Sequence, residues 1–291
     1  MDILSQIICG DSRTALRKLP ASCIDTIVTS PPYYLQRDYD DDRQVGEEKS
    51  PDEYVASIVE IMSQCDRVLK ESGTIWLNLG DKYHKSKLLG MPWRVALALA
   101  DAGWILRSDI VWHKPNAMPH SVNTRPTPDH EYMFLFSKSC KYYYDADAIR
   151  EPHVTFTERS KMAGGRNHFG KRNGTPEAGK NRGNSNLHDA RWDQAFHPEG
   201  RNKRTVWSVP LGKFREAHFA VFPPKLIEPC ILAGSPRGGI VLDPFFGAGT
   251  VGVVATELGR RYVGVELNRE YVKMAKKRLA SVQVRLLEPL S

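Results

Sequence analysis

Ser30, Pro31, Pro32 and Tyr33 form a short segment whose residue types suit chemistry on an amino group. The exocyclic amino nitrogen of a nucleobase is a poor nucleophile because its lone pair is conjugated into the ring. The Ser30 hydroxyl and the Pro31 carbonyl can accept the two amino hydrogens and so localise that lone pair. The two prolines stiffen the loop, and the Tyr33 ring can stack on a base flipped out of the duplex. These four residues are predicted to be catalytic; a proline turn that only ends a strand is the alternative.

A glycine-rich turn near the other end of the chain could hold an adenosine-bearing cofactor. Residues 243–250 read Asp-Pro-Phe-Phe-Gly-Ala-Gly-Thr. Gly247, Gly249 and Gly252 satisfy the dinucleotide-binding pattern, and Glu266 ends the next predicted strand, where a carboxylate can bind ribose hydroxyls. On this pattern alone, a nicotinamide or flavin site is a rival interpretation.

Two details favour S-adenosylmethionine over a dinucleotide. The acid at Asp243 suits the cationic amino-acid part of that cofactor better than it suits a pyrophosphate. The sequence also ends one helix after Glu266, so no second half of a dinucleotide fold is expected. A strand at residues 7–9 is expected to complete the sheet and to bring Asp11 beside the pocket. There its carboxylate could accept a hydrogen bond from the adenine amino group; a plain helix N-cap is the alternative.

Strands and helices alternate along the sequence, except in one central stretch. Apolar and β-branched runs predict strands at residues 7–9, 24–28, 74–79, 105–112, 132–136, 239–243 and 261–266. Helices are predicted at residues 12–19, 51–69, 92–102, 225–232, 250–258 and 268–279. Ser50 is the expected N-cap of the second helix, with Glu53 completing a capping box and Gly73 closing that helix. The alternation predicts an α/β fold with a mostly parallel sheet.

The basic charge of the chain is concentrated in one segment. The 291 residues carry a formal net charge of +7, while residues 156–215 alone hold 13 Lys and Arg against 5 Asp and Glu. The rest of the chain is therefore close to neutral. This Gly- and Asn-rich stretch is predicted to contact the phosphates and base edges of DNA, a solvated linker being the alternative. The cations expected to do so are Arg166, Lys171, Arg172, Arg201, Lys203 and Arg204.

Composition argues against several other classes. Five scattered cysteines with no Cys-x-x-Cys pair favour neither a disulfide framework nor a structural zinc site, so no metal is expected. The sequence opens without a secretory signal and lacks an apolar stretch of membrane-spanning length. A cytoplasmic, nucleoid-associated protein is expected.

Together these motifs resemble the β-class of amino-methylating DNA methyltransferases, which modify cytosine N4 or adenine N6. In that family the catalytic motif comes first, target recognition lies in the middle and the cofactor motifs come last. The resemblance covers most of the chain outside residues 151–205 and includes segments 74–81, 110–116, 204–207 and 218–223. It implies a Rossmann-like class I methyltransferase fold, with a mostly parallel seven-stranded sheet and a circularly permuted motif order.

The resemblance also implies a division of labour along the chain. Residues 1–150 would form the catalytic half, 151–215 the target-recognition region and 216–291 the cofactor half. S-adenosyl-L-methionine is the implied cofactor and double-stranded DNA the implied substrate; a homodimer and a cognate restriction endonuclease are left open. Near the flipped base the family places the positions of Arg125 and of residues 130–132. The implied cofactor contacts are Asp11, His218, Phe219, Phe222, Pro223, Asp243, Pro244, Phe245, Gly247, Gly249, Thr250 and Glu266.

The first residue of the catalytic motif bears on the target base. In the family, Ser at this position is usual for cytosine-N4 enzymes, whereas Asp or Asn is usual for adenine-N6 enzymes. Ser30 therefore favours methyl transfer to the N4 of a flipped cytosine, with adenine-N6 methylation as the alternative. A methyltransferase acting on protein glutamine or RNA, and a catalytically silent DNA-binding protein, are the more distant alternatives.

Overall fold

The computed structural model describes residues 5–36, 41, 43–152, 199–212 and 222–283. The chain divides into two compact units: one comprises residues up to Asp145 together with those from Arg204 to Glu288, and the other includes Ala146–Lys203. The three functional regions expected at 1–150, 151–215 and 216–291 stay a prediction. Within the described residues, no helix is both long enough and apolar enough to cross a membrane.

Ten strands are present in the described residues, and eight of them form the central sheet of the first unit. They are β1 (Gln6–Cys9), β2 (Ile24–Thr29), β3 (Leu69–Leu79), β4 (Tyr83–His84), β5 (Lys87–Leu88), β6 (Ile105–His113), β7 (His130–Ser137), β8 (Val206–Ser208), β9 (Ile240–Asp243) and β10 (Arg261–Glu266). The spatial order in the sheet is β1-β10-β9-β2-β3-β7-β6-β8, while β4 and β5 pair separately. Only β7 runs antiparallel to its neighbours, so the mostly parallel sheet is confirmed.

The sheet has one strand more than the seven expected. Val206–Ser208 adds β8 beside β6, and Val111 N donates to Thr205 O at 2.8 Å where the two strands meet. Trp207 is buried in this short strand, which explains why three residues are enough to hold it at the edge. A run this short carries too little periodicity to be predicted.

Six helices accompany the sheet in the described residues. They are α1 (Ser12–Ala15), α2 (Pro51–Val68), α3 (Met91–Asp101), α4 (Pro224–Gly234), α5 (Thr250–Glu257) and α6 (Arg269–Leu279). The predicted start of α2 is confirmed, since Ser50 Oγ accepts from Glu53 N at 3.2 Å. The prediction for Gly73 is wrong. Because α2 ends at Val68 and β3 begins at once, Gly73 lies inside the strand, where a Cβ would be 2.5 Å from the Leu69 side chain.

One face of α2 is buried in the hydrophobic core. Its buried residues recur at the spacing of an amphipathic helix and include Tyr54, Ile58, Ile61, Met62 and Cys65. They belong to the same cluster as apolar residues of β2, β3, β9 and β10. This packing fixes the parallel strands so that the carboxyl ends of β10, β9, β2 and β3 lie side by side, the edge at which open α/β sheets bind ligands.

Candidate active site

A cavity of about 670 Å³ lies at the carboxyl ends of these four strands. Asp243 and Glu266 are the last residues of β9 and β10, Ser30 directly follows β2, and Asn78 is the next-to-last residue of β3. All four line the cavity. Its volume is within the range of roughly 300–1,000 Å³ that small-molecule sites occupy. The parallel sheet therefore unites segments that are far apart in the sequence.

Most of the predicted catalytic and cofactor residues meet in this cavity. Those that line it are Asp11, Ser30, Pro31, Pro32, Tyr33, Phe222, Asp243, Pro244, Phe245, Gly247, Thr250 and Glu266. Pro223 and Gly249 do not line it: they are the N-cap residues of α4 and α5. A Cβ on Gly249, whose φ is +79°, would lie 2.9 Å from Ala275 Cβ, so this glycine serves helix packing. His218 and Phe219 lie outside the described residues.

Asp243 is a buried carboxylate in the cavity wall. Its Oδ1 accepts hydrogen bonds from Thr29 Oγ1 at 2.7 Å and from Phe245 N at 3.0 Å. Burial raises the pKa of Asp243 to about 7, against the effect of these two hydrogen bonds, and the nearby Glu266 charge raises it further. No donor among the described residues reaches Oδ2, which leaves that oxygen for a ligand. A cationic group there would favour the charged carboxylate.

Glu266 joins the two turns beside the cavity. Its Oε2 accepts from Gly247 N at 2.6 Å, and its Oε1 accepts from Asn268 N at 2.8 Å. Burial raises the pKa of this carboxyl group. Since each carboxylate oxygen has more than one lone pair, both can still accept from hydroxyl groups of a ligand. Gly247 itself has a φ of +51° and no atom within 4 Å of a Cβ position, so the turn leaves open space beside the carboxylate.

Asp11 is a helix N-cap that also lies in the cavity wall, and its contact with adenine stays a prediction. It is the N-cap of α1, with Oδ2 accepting from Thr14 N at 3.3 Å, and it also lines the cavity. The next residue, Ser12, donates its hydroxyl to the Pro244 carbonyl. The start of α1 is thereby joined to the 243–250 turn.

Tyr33 is held by its hydroxyl group in a chain of hydrogen bonds. Ser30 Oγ donates to Tyr33 Oη at 3.3 Å, and Tyr33 Oη donates to Glu131 Oε2 at 2.7 Å. Burial and the neighbouring Glu131 charge hold the pKa of Tyr33 well above its ordinary value. The tyrosine therefore remains protonated and keeps its donor, while the lone pairs of Ser30 Oγ face no described donor.

The two carbonyls of the proline pair differ in their environment. The Pro32 carbonyl accepts from Tyr54 Oη at 2.9 Å. Within the part of the chain that the structure describes, no donor reaches the Pro31 carbonyl. Of the two, the Pro31 oxygen is thus the one without a described donor, and its role as an acceptor for an amino group stays a prediction.

Three further polar residues complete the network behind Tyr33. Glu131 accepts from Asn78 Nδ2 at 3.2 Å through Oε2 and from Lys114 Nζ through Oε1. The Lys114 ammonium also lies 4.6 Å from the centre of the Trp112 ring. The family resemblance places Glu131 near the flipped base, whereas no sequence motif points to Asn78 or Lys114. The feature that could have identified Asn78 and Lys114 is a polar side chain at the carboxyl end of an apolar strand, at the same sheet edge as Ser30.

The cations predicted to contact DNA have different surroundings. The Arg125 guanidinium lies over the Tyr83 ring, 3.6 Å from its centre, and Arg204 is exposed. In the second compact unit, Arg201 and Lys203 each approach a carboxylate oxygen of Glu151 at 3.3 Å. Arg166, Lys171 and Arg172 lie outside the described residues. The DNA-binding role of the whole set stays a prediction.

This sheet order, with an acid at the ends of two adjacent strands and a Ser-Pro-Pro-Tyr loop beside them, defines a class I S-adenosylmethionine-dependent methyltransferase. The chain belongs to the DNA methylase family of N6- and N4-modifying enzymes, whose model matches residues 24–277. It is 42% identical to the type II methyltransferase M.Cfr9I of Citrobacter freundii, over 93% of this chain and 86% of that protein.

Solved structures share the fold. The PvuII DNA methyltransferase (cytosine-N4-specific) matches with a TM-score of 0.68 and 21% identity, over 96% of this chain and 87% of its own. TTHA0409 from Thermus thermophilus, complexed with S-adenosyl-L-methionine, matches with a TM-score of 0.61 and 22% identity, over 98% and 100% of the two chains. The protein is a type II DNA methyltransferase of the N4/N6 family, and S-adenosyl-L-methionine is its cofactor.

Proposed function

We propose that the enzyme transfers a methyl group to N4 of a cytosine flipped out of double-stranded DNA at a specific site. The observation that carries the choice of cytosine is Ser30 at the first position of the catalytic loop. An uncharged hydroxyl stands there in place of the Asp or Asn usual for adenine-N6 enzymes of this family. Methylation of adenine N6 remains the alternative base assignment.

The loop would activate the amino group by accepting its hydrogens. Ser30 Oγ and the Pro31 carbonyl take the two N–H groups, which localises the nitrogen lone pair for in-line attack. The cofactor supplies the electrophilic methyl group on its sulfonium sulfur. Tyr33 stacks on the flipped base, and its hydrogen bond to Glu131, 2.7 Å long, fixes the orientation of the ring. The contribution of the protein is thus positioning and electrostatics.

The hydrogen-bond chain behind the loop gives the leaving proton a route. When the nitrogen–carbon bond forms, the sulfur–carbon bond breaks with its electron pair on sulfur, and the amino nitrogen must lose one proton. Ser30 Oγ can accept this proton while passing its own to Tyr33 Oη, which passes its proton to Glu131. Lys114 stabilises the carboxylate before the reaction.

The residues proposed to bind the cofactor differ in charge and shape, and each suits one part of the cofactor. We assign the Asp243 carboxylate to the cationic amino group of the methionine part, and Glu266 to the ribose hydroxyls. Asp11 lines the same cavity, and we assign its carboxylate to the adenine amino group. Phe222 and Phe245 supply apolar surface in the same cavity. The chemistry of this donor set fits S-adenosyl-L-methionine at each of its three parts.

The remaining parts of the proposal concern DNA and partners. Residues 151–215 would read the target site, with Arg204 and the other predicted cations binding phosphates or base edges. A homodimer and a cognate restriction endonuclease stay open, and neither is needed for the chemistry above.

Nucleoside mass spectrometry of DNA methylated by the enzyme tests the base assignment. N4-methylcytosine is expected; N6-methyladenine would overturn the cytosine assignment and leave the class intact. Ser30→Ala and Tyr33→Ala should lose turnover and retain cofactor binding. Parallel methylation assays on DNA, RNA and protein distinguish the proposed activity from the more distant alternatives. Methyl transfer only to protein or RNA, or to nothing at all, would contradict the proposed substrate.

A further inference from the structure

A basic hairpin beside the catalytic loop has no part in the chemistry described above. In it β4 pairs with β5, with Tyr83 opposite Leu88 and His84 opposite Lys87. Residues 82–88, called here the basic hairpin, contain three Lys and one His and no acidic residue. Its tip, from His84 to Lys87, is exposed. The position of such a charged and exposed element must be fixed by other residues.

One acid holds both ends of the hairpin. Asp81 Oδ1 accepts from Lys82 N at 2.8 Å and from Met91 N at 3.1 Å, and Oδ2 accepts from Gly90 N at 3.1 Å. The stem is closed further by Leu89 N, which donates to Lys82 O at 3.0 Å. Two-residue strands are not stable alone in water, so these hydrogen bonds define the position of the hairpin.

The turn at the tip is strained. Lys85 and Ser86 have φ of 47° and 63°, the positive values that a type I′ turn requires at both central positions. Gly and Asn are the usual residues there, and a left-handed conformation costs other residues about 1–2 kcal/mol each. Strain of this kind persists where the surroundings impose it, and it concentrates at functional sites. Here the strained residues present a lysine to solvent.

The hairpin begins directly against the catalytic loop. Gly80, two residues before it, packs so closely on Tyr33 that a Cβ would lie 2.6 Å from the ring. Lys82 Nζ donates to the carbonyl of Leu35, two residues after Tyr33. The hairpin cations therefore lie on the same side of the site as the residues predicted to hold the flipped base.

The positive charge of the hairpin is not neutralised within the described residues. Lys85 and Lys87 form no ion pair there. Arg125 lies over the Tyr83 ring at 3.6 Å, and its Nε is buried without a hydrogen-bond partner. Such a group of unpaired cations on a fixed element suits a polyanion.

We propose that the basic hairpin, with Arg125 stacked on it, binds DNA phosphates next to the flipped base. This inference rests on the proposed function, because it requires that the substrate be duplex DNA. Phosphate contacts fix the register of a protein on the duplex, and they can offset part of the unstacking and unpairing energy that extruding a base costs. The hairpin places exposed cations on an element that Lys82 joins to the loop carrying Tyr33.

The test removes two charges and keeps the turn. In Lys85→Asn/Lys87→Gln, Asn tolerates the positive φ at the tip. Binding of a short mixed-sequence DNA duplex is followed by fluorescence anisotropy at several salt concentrations. The slope of log Kd against log salt concentration should become shallower by about 2, one for each lost phosphate contact, with Kd at physiological salt raised roughly tenfold. Cofactor affinity should not change, and Tm should not fall, because Asn relieves the strain at residue 85.

A matched variant separates contact from net charge. Lys276→Gln/Lys277→Gln removes two exposed charges from the last turn of α6 and should leave the slope unchanged. An unaltered slope in the hairpin variant, or an equal change in both variants, would overturn the inference. Methylation of DNA by the wild-type enzyme is measured alongside: its absence would refute the proposed function, whereas its presence with an unchanged hairpin slope refutes only the role of the hairpin.

Discussion

Glu131 lies at the centre of the hydrogen-bond network behind the catalytic loop. It receives hydrogen bonds from Tyr33, Asn78 and Lys114, which belong to three different segments. A single carboxylate thus holds the Tyr33 hydroxyl and, in the proposed mechanism, is the final acceptor of the proton. The proposed mechanism makes Tyr33 and Glu131 one functional unit.

If the two residues act through one hydrogen bond, their substitutions should not be additive. Tyr33→Phe and Glu131→Gln are each expected to lower kcat by roughly 100-fold, the lower range for lost acid–base assistance. The double variant should be little worse than either, because each change breaks the same chain. Single-turnover methylation rates test this. Tyr34→Phe, in the buried neighbouring tyrosine, should be near wild type; multiplicative losses in the double variant would contradict the shared route.

The buried Asp243 carboxylate is expected to lower the stability of the folded protein and to strengthen its binding of the cofactor. Burial raises its pKa from 3.8 to about 7 in the folded protein, so the folded state binds more protons than the unfolded state between these values. Stability without cofactor should therefore fall as pH rises from 3.8 to about 7. Asp243→Asn keeps Oδ1 as acceptor for Thr29 and Phe245, and should remove this dependence and raise Tm at pH 8.

The same variant should bind S-adenosyl-L-methionine more weakly. Loss of a charge-assisted hydrogen bond costs about 1.5–3 kcal/mol, a rise in Kd of tenfold or more. Calorimetric titration and thermal melts across pH supply the two measurements. Asp101→Asn, an exposed control on α3, should alter neither. A variant that binds cofactor normally would remove Asp243 from the assigned role.

At the scale of elements, β10 and the glycine turn are joined by one aromatic ring. Phe246 is buried, and a Cβ on Gly264 would lie 2.3 Å from its Cγ. A Cβ on Gly252 would lie 2.6 Å from the same ring. These glycines are therefore required by the phenylalanine, which holds the turn against the strand that carries Glu266.

Gly264→Ala should accordingly destabilise the protein by overpacking. A cost of about 1–3 kcal/mol is expected, which for a chain of this size lowers Tm by several degrees. Gly212→Ala, at an exposed glycine with no atom within 4 Å of a Cβ position, is the control and should have little effect. Adding Phe246→Leu to Gly264→Ala should restore part of the loss. An unchanged Tm for Gly264→Ala would show that the turn relaxes freely.

The elements that the sequence failed to predict are the short ones. Most long strands and helices match their predicted bounds to within two residues, because their apolar spacing extends over several turns or pleats. The exception is β3, which begins five residues before its predicted start because it follows α2 directly. β8 and the β4–β5 pair contain two or three residues each, and tertiary contacts hold them: the burial of Trp207 in one case and the hydrogen bonds of Asp81 in the other. At the site, Ser30 and Asp243 were visible as motifs, whereas Asn78 and Lys114 acquire meaning only when β3, β6 and β7 lie side by side.

For the molecule as a whole, the order of the two motifs along the chain indicates the class of protein, which neither motif indicates alone. The glycine turn also fits a dehydrogenase, and the proline loop also fits a simple strand end. The parallel pairing of β1 with β10 confirms that residues near the start of the sequence complete the sheet of the cofactor half. The same pairing shows why Asp11 lines one cavity with Asp243 and Glu266, which are more than 200 positions away in the sequence.

This pairing also determines when, during synthesis of the protein, the sheet can be completed. Gln6 pairs with Val263, and Thr26 with Val241. At ribosomal rates of about 5–20 residues per second, β1 waits roughly 10–50 s for its partner strand to be made. Unpaired strand edges are templates for aggregation. A chaperone therefore has most to protect while only the amino-terminal half of the chain has been made. The methyl donor can be bound only after β10 has emerged, so catalysis begins only after residues 261–266 have been made.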